Sequence, residues 1–168
     1  MNIRSVRQDD IQAISEIYNY YVEHTVVTFS ETPVSVHEMQ SLIQQVTKTC
    51  PWLVAEEENL ILGYTFVMPW KVRSAYRFTV ESTVYLRPDR SGKGLGTRLY
   101  QSLFEKLEST EIHRVVGCIA LPNPASVALH EKFGFKKVAH FSEVGCKFGH
   151  WIDVGYWQKC MESQSTGF

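Results

Sequence analysis

The chain has 168 residues, a formal net charge of −1, 44% hydrophobic and 21% charged residues. That balance suits one globular domain with a proper core and offers no bulk charge for nucleic acid or an anionic membrane surface. No apolar run approaches the length of a membrane span, and the first ten residues, MNIRSVRQDD, hold no apolar region of the signal-peptide kind, so a cytoplasmic protein is expected. Cys50, Cys118, Cys146 and Cys160 lie far apart with no Cys-x-x-Cys pair. This argues against a metal centre or a disulfide scaffold and for buried free thiols. Residues 1–161 are expected to form the single domain, with residues 162–168 as a disordered tail.

Residues 3–6 read as a first strand. Asp9 and Asp10 offer an N-cap to an amphipathic helix carrying Ile11, Ile14, Ile17, Tyr18, Tyr21 and Val22. Residues 25–33 form a loop with Phe29 and Glu31. Ser35 and Glu38 make a capping box for a second helix, along which Met39, Leu42, Ile43 and Val46 face one way. Residues 51–55 and 60–67 are strands, and the run Glu56-Glu57-Glu58-Asn59 between them is a solvated hairpin tip. A loop rich in cations and aromatics, residues 68–77, follows.

Val80, Val84, Tyr85 and Leu86 then mark a strand. A loop with Gly92, Gly94 and Gly96 leads into a third helix with Leu95, Leu99, Leu103, Phe104 and Leu107 at helical spacing. A glycine-rich turn between strand and helix start can point backbone N–H groups at a pyrophosphate, helped by the helix dipole. It can equally be a connector that needs glycine for positive φ. It fits neither a P-loop, since Gly92-Lys93 is followed by Gly94, nor a dinucleotide fingerprint. Residues 114–119 form a strand buried on both faces. Residues 121–126 turn into a short helix with Val127, Leu129 and Phe133, ended by Gly134. Residues 138–141 and 152–157 are the last strands, joined by a turn-rich link over residues 145–151. The order is β-α-α-β-β-β-α-β-α-β-β, a mixed α/β sheet.

The strand–glycine loop–helix unit, the segment Asn123-x-x-Ser126-x-x-Leu129-His130-x-x-x-Gly134-Phe135 and the sheet order together resemble the GNAT superfamily of N-acetyltransferases. Within it the chain is similar to the phosphinothricin N-acetyltransferases. That resemblance is carried by Tyr18-Asn19-x-Tyr21-Val22, Pro51-Trp52-Leu53-Val54-Ala55-Glu56, Pro69-Trp70-Lys71-x-Arg73-x-Ala75-Tyr76, Glu81-Ser82-Thr83-Val84-Tyr85 and Val154-Gly155-Tyr156-Trp157-Gln158. It implies a GNAT fold with a split between the fourth and fifth strands and acetyl-CoA as cosubstrate. The backbone of Val84, Tyr85 and Leu86 would pair with the pantetheine and the thioester carbonyl. Gly92, Lys93, Gly94, Leu95, Gly96 and Thr97 would hold the pyrophosphate. Ser91 stands where the family's signature begins with Gln or Arg. Asn123 and Ser126 would bind pantetheine, and Asn123 can also cap the helix behind it.

Acetyl transfer to an amine needs a base for the amine proton, a stabiliser for the oxyanion and an exit for the thiolate. Glu81 is mid-strand, an unusual place for glutamate. Alone it reads equally as a base, an exposed sheet residue or an ion-pair partner of Arg73 or Arg77. The resemblance assigns it the base or water-positioning role. His130 would act as acid or base beside the sulfur, or simply pack there. Cys118, in a buried strand, is no nucleophile, so direct transfer is expected. The family's acceptors are small amino acid analogues of the phosphinothricin or methionine sulfoximine/sulfone type. Lys71 and Arg73 would grip their anionic groups, with Phe29, Val72, Tyr76, Ser82 and Thr83 around them and Trp70 as wall or packing. The alternatives are another acceptor (a protein N-terminus or a polyamine) and a non-catalytic acyl-CoA-binding module. The aromatics of residues 149–157, and the habit of relatives, point to a homodimer.

Overall fold

The computed structural model describes residues 1–90 and 94–161. The expected order of elements is present: β1 Asn2–Ser5, α1 Ile11–His24, α2 Val36–Val46, β2 Trp52–Glu57, β3 Leu60–Pro69, β4 Thr79–Leu86, α3 Leu95–Leu107, β5 Arg114–Leu121, α4 Pro124–Lys132, β6 Lys136–Lys147 and β7 His150–Cys160. Ser91, Gly92, Lys93 and the expected tail at residues 162–168 lie outside the described residues.

The seven strands form one sheet in the order β1-β2-β3-β4-β5-β7-β6. Alternation along β2 sends its side chains to two faces. Trp52 and Val54 pack with Ile11, Ile14 and Ile17 of α1 and with Met39, Ile43 and Val46 of α2. Leu53 packs on the other face with Tyr100, Leu103, Phe104 and Leu107 of α3. The Ser35–Glu38 capping box starts α2, with the Glu38 N–H donating to Ser35 Oγ at 3.2 Å and the Ser35 N–H donating to Glu38 Oε2 at 2.7 Å. Asp10 behaves differently from expectation. Its carboxylate makes no bond to the amides of α1; it accepts from the Arg7 N–H at 2.7 Å and from both terminal nitrogens of Arg4. A guanidinium fork on β1, six residues earlier, outcompetes a single helix amide for a buried carboxylate.

The β2–β3 connection is tighter than the four-residue polar run: Glu57 pairs with Leu60, and only Glu58 and Asn59, at φ 50° and 64°, make the turn. The link between the last strands also contracts. Residues 145–147 extend β6 and residues 150–151 begin β7, leaving Phe148 and Gly149, at φ 53° and 76°, as a two-residue turn. Once Lys147 pairs with His150, the ladder satisfies backbone groups that a longer loop would leave to water.

The β4–β5 pair is the only parallel one among the described residues, and it registers just three residue pairs: Thr79 with Arg114, Val80 with Val115, and Glu81 with Val116. Beyond it, β4 keeps its antiparallel partner β3 as far as Leu86, and β5 keeps β7 as far as Leu121. Each half-sheet completes its own ladder, so the short parallel one opens into a V.

Candidate active site

The V is a cleft of about 260 Å³, lined by Glu81–Tyr85 on one side, Cys118, Ile119 and Ala120 on the other, and Val27, Thr28 and Phe29 across the mouth, with Tyr100, Asn123, Ser126, His130 and Val154. Glu81 stands at the last parallel pair, where the strands part. It is partly buried, and among the described residues its carboxylate makes no hydrogen bond or ion pair. Burial raises its pKa, and the nearby charge of Lys71 offsets part of that rise. The ion pair weighed for it does not form. Arg77 instead stacks on Phe78, its Cζ 4.2 Å from the ring centroid.

His130 is 4% exposed and engaged on both nitrogens. Nδ1 lies 2.8 Å from the Ser126 carbonyl, which can only accept, so Nδ1 carries the hydrogen. Burial lowers the imidazole's pKa against that bond and keeps it neutral. Nε2 is therefore the acceptor for the Tyr100 hydroxyl, 3.0 Å away. Tyr100 Oη in turn lies 3.2 Å from Ser82 Oγ, which reaches the Val116 carbonyl at 3.4 Å. A buried chain thus runs from the floor of the V through Tyr100 to His130. Gly117 makes room for it: a methyl group there would stand 2.5 Å from His130 Nε2.

Cys118 corrects an expectation. It is exposed, as are Cys146 and Cys160, while Cys50 is half-buried; all four are free thiols. Cys118 lies two residues past the end of the parallel ladder, where β4 no longer covers the flank of β5. Burial at the cleft floor still raises the thiol's pKa, against a hydrogen bond from Tyr156, its cross-strand partner. The thiol, and Tyr156 beside it (pushed up to about 12, chiefly by burial), stay protonated near neutrality, so Cys118 is held in its poorly nucleophilic form.

The residues named for the cosubstrate divide. Val84 and Tyr85 line the cleft. The Leu86 carbonyl is taken by the Tyr21 hydroxyl at 2.7 Å. Gly94 caps α3 at φ 73°, with open space where a side chain would be. Its conformation needs glycine, and no side chain among the described residues caps the start of this 13-residue helix, which suits an anionic group. Leu95 is a core residue. Gly96 approaches α4, where a methyl would stand 3.3 Å from Leu129 Cδ2. Thr97 Oγ1 accepts from Lys132 Nζ at 3.4 Å. Gly92 and Lys93 lie outside the described residues. Asn123 caps α4, its Oδ1 accepting from the Ser126 N–H at 3.1 Å.

Of the residues named for the acceptor, Phe29, Ser82 and Thr83 line the cleft with Glu81. Ser82 is buried and tied to Tyr100. Lys71 is near enough to bias Glu81 electrostatically, and its ammonium lies 5.1 Å from the Trp70 ring centroid. Val72 and Arg73 are exposed and do not line the cleft. Tyr76 packs edge-on against Trp70, 5.3 Å between centroids, also away from it. Tyr100, Tyr156 and the pair Val27 and Thr28 were not singled out from sequence. Tyr100 falls on the apolar stripe of α3, one position after Leu99, and nothing in its spacing separates it from a core aromatic.

A family model described as an acetyltransferase (GNAT) domain matches residues 3–155. The phosphinothricin N-acetyltransferase of Streptomyces viridochromogenes is 38% identical over 96% of this chain and 88% of its own length. The L-methionine sulfoximine/L-methionine sulfone acetyltransferase of Salmonella typhimurium is 35% identical over 99% of this chain and 98% of its own. A solved GNAT superfamily phosphinothricin acetyltransferase from Sinorhizobium meliloti, in complex with acetyl-CoA, superimposes with a TM-score of 0.94 at 32% identity, covering 99% of this chain and 91% of that one.

Proposed function

The chain belongs to the GNAT family of acetyltransferases, and from that premise we propose that it transfers acetyl from acetyl-CoA directly to the α-amine of a small amino acid or analogue of the phosphinothricin or methionine sulfoximine/sulfone type. The observation that carries this reading is Glu81: a half-buried carboxylate without a partner among the described residues, its pKa raised, at the point where the V opens. A carboxylate left unpaired in a cleft has its basicity tuned for a proton that arrives with a ligand.

Glu81 takes the proton of the bound ammonium, directly or through one water. Lys71 receives the acceptor's acidic group, the role that sequence reading shared with Arg73. His130 presents no free nitrogen, so a proton passing between it and the cleft travels by the Tyr100 hydroxyl. Acetyl-CoA supplies the acyl group and a thiolate leaving group. Peptide groups of Val84 and Tyr85 on the open flank of β4 fit its amide-bearing arm, and the start of α3 at Gly94, capped by no side chain among the described residues, fits its phosphates. Acetylation would strip such an analogue of its charged amine, which fits a detoxifying role. Free thiols fit a cytoplasmic setting.

The test is a thiol-release assay over small amino acids, phosphinothricin, methionine sulfoximine and sulfone, a polyamine and an N-terminal peptide. Turnover confined to the peptide or the polyamine, or no turnover at all, overturns the reading. Lys71→Ala is expected to raise KM for the acidic acceptor by roughly tenfold, the worth of one charge-assisted contact. It is also expected to shift the acid limb of the pH profile upward, because the charge that offsets Glu81's raised pKa is gone.

A homodimer belongs to the same reading, with Trp151 the exposed member of the aromatics in residues 149–157. Tyr156 is half-buried and Trp157 is core. Val138, Phe141, Val144 and Phe148 on edge strand β6 and its turn, with Trp151 on β7, leave an exposed apolar band. Sedimentation of Trp151→Glu beside the parent chain tests it, a monomer being expected only for the variant.

A further inference from the structure

We propose that the β6–β7 hairpin positions the acceptor wall of the cleft, Lys147 holding Thr28 and Gly145 seating Phe29. The inference rests on the reading of this cleft as the acceptor site.

Lys147 is 1% exposed, the only lysine so buried among the described residues, while Cys146 and Phe148 on either side of it are exposed. Its burial comes from the α1–α2 loop, residues 25–34, which lies over it. Nζ donates to the Thr28 carbonyl at 2.8 Å, across 119 residues of sequence. It also lies 5.0 Å from the Phe148 ring centroid. Burial lowers the ammonium's pKa, and the charge of Glu31, in the same loop, opposes that. A charge taken out of water is costly unless it is held by a fixed partner, and the partner here is a backbone carbonyl of the cleft wall.

Two residues earlier, Gly145 receives Phe29. A methyl on Gly145 would stand 2.6 Å from Phe29 Cζ and 2.8 Å from Cδ2, so the ring needs a bare backbone beneath it. The strand is bent to this task. Phe141 pairs with Val154 and Gly145 with Ile152, which leaves residues 142–144 opposite Asp153 alone. Glu143 sits at φ 51°. Its N–H is captured by the Asp153 carboxylate at 2.8 Å, and His140 Nε2 lies 2.6 Å from the same group. A bulge stapled in this way re-aims the residues that follow it, here Gly145 and Lys147, at the loop.

From the opposite side α1 grips the same segment. Tyr18 Oη meets Thr28 Oγ1 at 3.2 Å and Ser30 Oγ at 2.7 Å, and the Asn19 side chain makes both bonds to the Val34 backbone. Between the two grips, Val27, Thr28 and Phe29 face the cleft. Of the cosubstrate side, Tyr85 of β4 meets the grip edge-on at Tyr18, 5.5 Å between ring centroids; among the described residues the start of α3 takes no part in this clamp.

The test compares Lys147→Met and Gly145→Ala with the parent chain by steady-state kinetics and by amide hydrogen exchange. Acceptor KM is expected to rise roughly tenfold, with kcat and KM for acetyl-CoA within about twofold. Exchange over residues 25–34 is expected to quicken at least about tenfold in Lys147→Met, with β4 and α3 unchanged, and Lys147→Arg restores most of the protection. In a Phe29→Leu background, Gly145→Ala adds nothing, because the ring it would strike is gone. Unchanged loop exchange overturns the inference, as does an equal rise in both KM values, which marks general loosening. If the parent chain acetylates no small amine, the acceptor reading falls on that result. Loop exchange in Lys147→Met then decides the clamp by itself, quickening in support or unchanged against.

Discussion

Glu81→Gln is expected to lower kcat at neutral pH by roughly 10²–10⁴, the usual worth of a positioned general base. Glutamine keeps the shape of the side chain and cannot take a proton. The parent's kcat/KM is expected to rise with pH through a pKa above the ordinary carboxylate value, because burial penalises the charged form more than Lys71 favours it. The variant's profile loses that limb. Stability moves the other way. Glu81's folded pKa lies above its unfolded one, so its contribution to stability is complete below the unfolded pKa and is lost as pH climbs through the folded pKa. At neutral pH the carboxylate is ionised in a site that disfavours its charge. Glu81→Gln should therefore melt at a higher temperature than the parent at pH 7, and the gap should close once the parent's carboxylate is protonated in both folded and unfolded states. Thermal melts at pH 4 and pH 7 alongside the rate profile check both halves. An unchanged rate would remove Glu81 from the chemistry; a lower melting temperature at pH 7 would show that the carboxylate has a partner which holds the fold together.

The second large effect is expected at Gly117. An added methyl would stand 2.5 Å from two atoms of the His130 ring, and that ring is bonded at both nitrogens and packed 5.0 Å from Phe135. Overpacking of this kind costs about 1–3 kcal/mol, or a fall in Tm of roughly 3–10 °C for a chain of this size. Because the imidazole must move off Tyr100 to make room, kcat should also fall by roughly 100-fold, the low end of acid–base effects. The control is Gly117→Ala in a His130→Ala background. There the methyl meets empty space, and the added destabilisation should vanish. If it persists, the strain lies in the β5 backbone and the imidazole is not its source.

Most of the architecture is readable from local pattern. The apolar spacing of Ile11, Ile14 and Ile17, the Ser35–Glu38 box and the Gly134 stop place the helices within a residue or two. The misreadings share one cause. The polar run at Glu56–Asn59, the turn-rich run at 145–151 and the carboxylate of Asp10 all carry local signals for turns or caps that longer-range pairing overrides. Glu57 and Lys147 join ladders, and Asp10 binds Arg4.

Within the active site, Glu81 could be singled out because a charged residue in mid-strand breaks a local rule, and His130 because of the motif around it. Composition and periodicity were enough for a mixed α/β sheet, and the resemblance to the GNAT superfamily said where chemistry should be sought. They could not place Tyr100 against His130, expose Cys118 or turn Lys147 inward. Those depend on two half-sheets completing separate ladders, which opens the V, and on a bulge that bends β6 under a loop 119 residues away. Local sequence carries backbone preference and the side a residue faces; which groups then meet across a cleft is set by how finished elements pack, a condition no single stretch of this chain encodes.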